Sequence, residues 1–376
     1  MLEELEPYAS ALALPAPPAA PLRHAAMLAP LGIPTRFEAD SDTLLAAAIA
    51  AYGEPGPLVE GHGVALGTAP ASRHATPRVL LLTAPHGPGA GPPQPAGPLR
   101  ISADRESLLL AAPDAAGRAR RTDMTAIARL APVLLADADR LRAVLDALVL
   151  FLITALDRQP VHAAAIARGG AGLVLAGPGG IGKSTLAYAA LRAGLAVLGD
   201  DAVYVQLAGT FRVWGLGRPI HLAPEAARWF PELATRPAVL RANGKRRIVV
   251  SGQPAPAALA PGQAEGSRAP ALEAGRTPPP ELVRPAVRQA PPLERAGLCL
   301  LEREAGSATA SAEPIAPGEA VSRLVASLDP GFDVWRDTIG ARIAALARGG
   351  AWRLRVGDDP RAAVPVTREL LDRVSR

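Results

Sequence analysis

Residues Gly177-Pro178-Gly179-Gly180-Ile181-Gly182-Lys183-Ser184 fit the G-x-x-x-x-G-K-[ST] pattern, and the pattern constrains the fold because it needs a buried strand before it and a helix after it. Leu173, Val174 and Leu175 supply a short apolar strand, and Ser184 to Ala193 reads as a helix rich in Ala and Leu. The glycines allow backbone N–H groups to turn inward around a phosphate, and the helix N-terminus adds its positive end. Lys183 is then expected to reach the β- and γ-phosphates, with the Ser184 hydroxyl on Mg²⁺. The stretch reads as a nucleotide site.

The chain has 376 residues, enough for two domains or one with large irregular parts. Of its 40 basic residues only Lys183 and Lys245 are lysines, so a lysine marks a place where a compact, flexible ammonium is wanted. The net charge is +5, but the arginines are scattered and not interleaved with aromatics. A solvated Arg-biased surface is therefore expected, not a nucleic-acid partner. One cysteine, Cys299, lies in an apolar run; this excludes a disulfide framework and fits a reducing cytoplasm. The acidic N-terminus lacks the basic region of a signal peptide. The longest uncharged apolar run, Ala147 to Leu156, is too short to span a bilayer, so no membrane partner is expected.

Four segments are expected. Residues 1–120 form an N-terminal α+β region, with a Pro/Ala-rich lead-in, a helix from Thr43 to Tyr52 and short strands at 63–66, 78–83, 99–102 and 107–111, broken by a Pro/Gly-rich loop at 86–98. Residues 121–250 form the P-loop core. It starts with a helical pattern over Thr125 to Asp157, in which Leu141, Val144, Leu145, Leu148 and Leu152 share one face. Residues 251–296 read as a Pro/Ala-rich flexible insertion, and 297–376 complete the core with a strand, two helices, a strand and a final helix. The fold class expected is α/β.

Asp200 and Asp201 end the strand that follows the helix, on the side of the sheet where ligands bind. Magnesium-dependent phosphoryl transfer needs a carboxylate for the metal and a base or orienting group for the acceptor hydroxyl, and adjacent acids can provide both. The alternative is a plain hairpin turn at Gly199-Asp200. His162, alone in an apolar strand, reads from the residues as a packed core histidine more readily than as a catalyst.

The order VHAAAI, a short hairpin, GLVLAGPGGIGKSTLAYAAL and then GLAVLGDDAVYV resembles the catalytic domain of HPr kinase/phosphorylase and related kinases, over about Gln159 to Val205. The resemblance implies that Gly177, Pro178, Gly179, Gly180, Ile181, Gly182, Lys183, Ser184 and Thr185 bind ATP. It also implies that Ser184, Asp200 and Asp201 serve Mg²⁺, and that Asp200, Asp201, His162 and Lys183 act in catalysis, with the order of the two aspartates open. Lys245 and Arg246 would either close over phosphate or form a solvated basic turn. The family's Glu-Arg-Gly-Leu-Gly stretch is replaced here by Val213-Trp214-Gly215-Leu216-Gly217, which argues against phosphorylase activity and against HPr as acceptor. The expectation is an ATP-dependent kinase acting on a hydroxyl, most readily serine, of a protein, peptide or small molecule. A nucleotide-binding regulatory or assembly module is the competing reading, and a homo-oligomer is left open.

Overall fold

A computed structural model describes residues 20–53, 75–84, 97–240, 246–250, 291–328 and 335–376. The expected strand at 63–66, nearly all of the loop at 86–98, Lys245 and residues 251–290 lie outside the described residues. Within them the protein is a mixed α/β structure with six α-helices and four sheets.

The first sheet contains β1 (His24–Leu28), β2 (Thr35–Ala39), β3 (Arg78–Thr83), β4 (Arg100–Ala103), β5 (Ser107–Ala112), β6 (Ala115–Arg120) and β7 (Thr125–Leu130). Their spatial order is β1-β2-β3-β7-β6-β5-β4. Helix α1 (Asp42–Tyr52) crosses between the parallel strands β2 and β3, and the Ser41 hydroxyl caps it by accepting the Leu44 N–H. Helix α2 (Ala138–Ile153) is capped by Asp137 and lays Leu141, Val144, Leu145, Leu148 and Leu152 on β5, β6 and β7. The approach is close: a β-carbon at Gly117 would lie 3.1 Å from a Leu148 methyl.

The expected helical pattern from Thr125 is corrected here, because Thr125–Leu130 is strand β7. It pairs with β3 on one side and β6 on the other, and a central ladder on both edges outweighs the helix propensity of its alanines. The sheet therefore runs past residue 120, and α2 belongs to its covering layer.

The second part follows in order: β8 (Gln159–Val161), β9 (Ala163–Arg168), β10 (Ala171–Ala176), α3 (Lys183–Arg192), β11 (Ala196–Gly199), β12 (Val203–Gln206), β13 (Arg212–Trp214), β14 (Ile220–Leu222), β15 (Ala238–Leu240), β16 (Arg246–Val250) and β17 (Arg295–Arg303). It ends with β18 (Ser311–Pro314), α4 (Pro317–Ala326), α5 (Arg336–Arg348), β19 (Ala351–Val356) and α6 (Ala363–Ser375). Six of these strands form a sheet of order β11-β9-β10-β17-β19-β18, in which β10, β17 and β19 are parallel. The β9–β10 hairpin turns through Gly169 and Gly170, both at positive φ. Strand β10 is buried on both faces: Leu173 and Leu175 meet α3 and α6, while Val174 and Ala176 share a core with α4 and α5. Two three-stranded sheets, β13-β12-β8 and β14-β16-β15, stand beside it.

The expected insertion ends earlier than residue 296. Leu293 is buried, exchanges backbone hydrogen bonds with Val213 and fills the space left by the absent side chain of Gly172, so the chain is ordered before β17 starts. No helix among the described residues is long and apolar enough to cross a membrane.

Candidate functional site

The loop from β10 to α3 takes its shape from backbone conformations that side chains resist. Gly177, Gly180 and Gly182 have φ of +151°, +83° and +111°. A β-carbon at Gly180 or Gly182 would meet nothing within 4 Å, so there the demand is conformational; at Gly177 it would also press on the Leu301 carbonyl oxygen at 3.3 Å. No side chain caps the N-terminus of α3, which leaves its first-turn N–H groups without a side-chain acceptor, an arrangement that suits an anion. Lys183 Nζ donates to the carbonyl oxygens of Gly177 at 2.7 Å and Pro178 at 3.2 Å, which ties the ammonium across the loop.

Strand β11 delivers the acidic pair. Asp200 is 4% exposed, and its Oδ2 accepts the backbone N–H of His221 at 2.9 Å. Burial pushes its carboxyl up to about 6; the Asp201 charge adds to the rise, while hydrogen bonds from His221 N–H and the Ser184 hydroxyl, with the charge of Lys183, oppose it. Oδ1 of Asp200 is buried without a hydrogen-bond partner. Asp201 differs from its neighbour: its side chain is 85% exposed.

His162 occupies the break between β8 and β9, which belong to different sheets, so it sits where the chain leaves one sheet for the other. Its Nε2 lies 3.6 Å from Oδ1 of Asp201. The structure thus brings His162, Lys183, Ser184, Asp200 and Asp201 to one cleft of about 660 Å³, together with Gly179, Gly180, Gly182 and Thr185. Ile181 turns to the far side of the loop, into a small crevice with Trp229, Leu301 and Val356. Arg246 is exposed at the start of β16, and Arg247, the next residue, is the one that lines the cleft.

No protein-family model matches the chain, and no curated protein does.

Sequence reasoning missed the opposite wall. Asp139, Arg142 and Asp146 of α2 line the cleft, joined by Arg218 and His221 from the segment around β14. Asp146 pairs with Arg218 and accepts the Tyr52 hydroxyl at 2.9 Å. Burial raises the Asp146 carboxyl and the Tyr52 phenol above their ordinary values. A signal was present: the three α2 residues recur at spacings of three and four, opposite the apolar stripe that drew attention to the helix.

The fit to a divalent cation can be judged from the donors. Among the described residues no group of three or more His, Cys, Asp or Glu side chains could hold a metal ion. Magnesium does not require one, since it takes one or two protein oxygens and fills its remaining positions with phosphate and water. The unpartnered Oδ1 of Asp200 beside the Ser184 hydroxyl fits that donor set.

Proposed function

We propose that this chain transfers the γ-phosphoryl group of Mg·ATP to the hydroxyl of an acceptor. The observation that carries the reading is the division within the acidic pair: Asp200 is buried against Ser184 at the loop, whereas Asp201 projects into the cleft beside His162. A module that only held nucleotide would need the loop but not an exposed second acid.

In this reading the backbone N–H groups of 179–184 bind the phosphates, and Lys183 neutralises their charge. Ser184 and Asp200 would hold Mg²⁺, which when bound supplies charge neutralisation across the phosphate oxygens. Asp201 takes the proton of the acceptor hydroxyl as its oxygen bonds to the γ-phosphorus; the bond from that phosphorus to the β–γ bridging oxygen breaks, and ADP leaves with the electron pair. His162, 3.6 Å from Asp201, orients that carboxylate. Catalysis is then positioning and charge compensation, as phosphoryl transfer requires.

The test is transfer of labelled γ-phosphate from Mg·ATP to candidate hydroxyl acceptors and to lysate proteins, with wild type, Lys183→Ala and Asp201→Ala. A labelled acceptor that disappears with both substitutions is the expected result. Tight ATP binding with no label on any acceptor would replace this reading by the nucleotide-binding regulatory module.

A further inference from the structure

The α2 wall of the cleft carries charge that the phosphoryl-transfer chemistry does not use. Asp139, Arg142 and Asp146 of α2 line it with Arg218 and Arg247, and over the whole cleft the three guanidinium groups and Lys183 are matched by the four carboxylates of Asp139, Asp146, Asp200 and Asp201. The charges balance in number, but the contacts made by the two arginines of this wall are unequal. Asp146 is engaged by both the Tyr52 hydroxyl and Arg218. Arg142, one turn before Asp146 on α2, has as its only described hydrogen bond a long one of 3.4 Å to the Ala50 carbonyl. Arg218 donates to the Ala51 carbonyl at 3.3 Å, but its Nε is buried with no hydrogen-bond partner. Arg142 thus has no carboxylate in ion-pair contact among the described residues, and burial together with the Arg218 charge lowers its affinity for its proton against the opposing charges of Asp146 and Asp139. Buried cations held in this way are stabilised by a further anion.

The position of Arg218 relates these residues to the acceptor. Tyr204, buried in the cleft, feels the charges of Asp146 and Arg218 as well as that of Asp201, so Arg218 and the exposed aspartate act on one phenol.

We propose that Arg142 and Arg218 form an anion subsite that takes a carboxylate carried by the hydroxyl acceptor, beside Asp201. The inference rests on the phosphotransferase reading. Arg142 offers the cleft a guanidinium with no carboxylate contact among the described residues, and its planar fork suits a carboxylate. The carboxylate comes either from a free hydroxy acid such as serine or from an acidic residue next to a serine in a peptide.

The experiment uses the full chain with Mg·ATP and two matched probe pairs: L-serine against L-serinamide, and acetyl-Ser-Glu-amide against acetyl-Ser-Gln-amide. Binding is read by ligand-observed NMR and transfer by labelled phosphate. The carboxylate member of at least one pair is expected to bind roughly ten- to a hundredfold more tightly, a charge-assisted contact, and which pair shows it identifies the source. Arg142→Gln and Arg218→Gln should remove that preference while the KM for ATP stays unchanged. Arg142→Gln leaves the Asp146–Arg218 pair in place, so it decides the matter if Arg218→Gln does not fold. Equal binding within both pairs, or a preference that survives Arg142→Gln, overturns the subsite. Carboxylate-selective binding that needs Arg142, without label on any probe, would sustain the subsite and count against the phosphotransferase reading.

Discussion

Nε2 of His162 lies 3.6 Å from Oδ1 of Asp201, although 39 positions separate them; His162 immediately precedes β9 and Asp201 closely follows β11, two paired strands of one sheet. The contact exists because β11 pairs antiparallel with β9, with a register shift between Val197 and Gly199 that sets the end of β11 beside the start of β9. If this pair serves the acceptor hydroxyl, Asp201→Asn should lower the transfer rate by about 10²- to 10⁴-fold while ATP affinity is unchanged. His162→Gln should lower it less, since the carboxylate then loses one contact that orients it. Steady-state rates, with ATP affinity measured separately, check both.

Asp200 should oppose stability at neutral pH. Its carboxyl is raised from an ordinary 3.8 to about 6, so folding favours the protonated form. The cost of burying the charge is absent below pH 3.8, grows as pH rises towards 6 and is fully present above it, reaching about 3 kcal/mol. Asp200→Asn, without nucleotide or metal, should be more stable than wild type at pH 7.5, and the difference should vanish near pH 3.5. Denaturant unfolding at the two pH values measures it, and the same variant should lose the magnesium dependence of nucleotide binding.

Glu38 should act in the opposite sense. Its buried carboxylate accepts from Arg78 Nε at 2.7 Å and Nη2 at 2.9 Å, from Arg36 Nε at 2.9 Å and from Leu22 N–H at 2.8 Å, and Arg78 leads in holding its carboxyl down at about 2 from an ordinary 4.5. This contribution, about 3 kcal/mol, is present above pH 4.5 and is lost as pH falls towards 2. Glu38→Gln should destabilise the first sheet at pH 7, with the gap to wild type closing in acid. Thermal or denaturant midpoints across that range test it.

Two glycines should fail for different reasons. At Gly182 a β-carbon has open space but φ is +111°, so Gly182→Ala should cost about 1–2 kcal/mol of stability and weaken nucleotide binding by distorting the loop. At Gly215 a β-carbon would collide with the Leu198 carbonyl oxygen, one residue before the turn that carries the aspartates. Gly215→Ala should therefore disturb β11 and lower both stability and transfer. Unfolding midpoints and ATP affinity measured side by side separate the two cases.

Much of the second part was legible because its signals are local. The glycine pattern, the Gly169-Gly170 hairpin and the Gly194 that follows α3 at positive φ each depend on residues next to one another, and each element lies within a residue or two of its expected place. Strand β7 was not legible. Thr125 to Leu130 has a helix-compatible composition, and only the strands on either side make it a strand.

The division for the candidate site is the same. Residues 162–201 determined by themselves that a glycine loop, a lysine, a serine and two acids would stand near one another, because a hairpin, a loop and one helix leave the chain little freedom over that distance. Only the tertiary structure decided that Asp200 is buried and Asp201 exposed, since that depends on the His221 N–H meeting one carboxylate and solvent meeting the other. It alone brought Arg142 and Asp146 into one cleft with the loop and joined Asp146 to Arg218, 72 positions further on. Charge pairing over that span depends on how α2 covers the first sheet against the second part, and no local pattern encodes it.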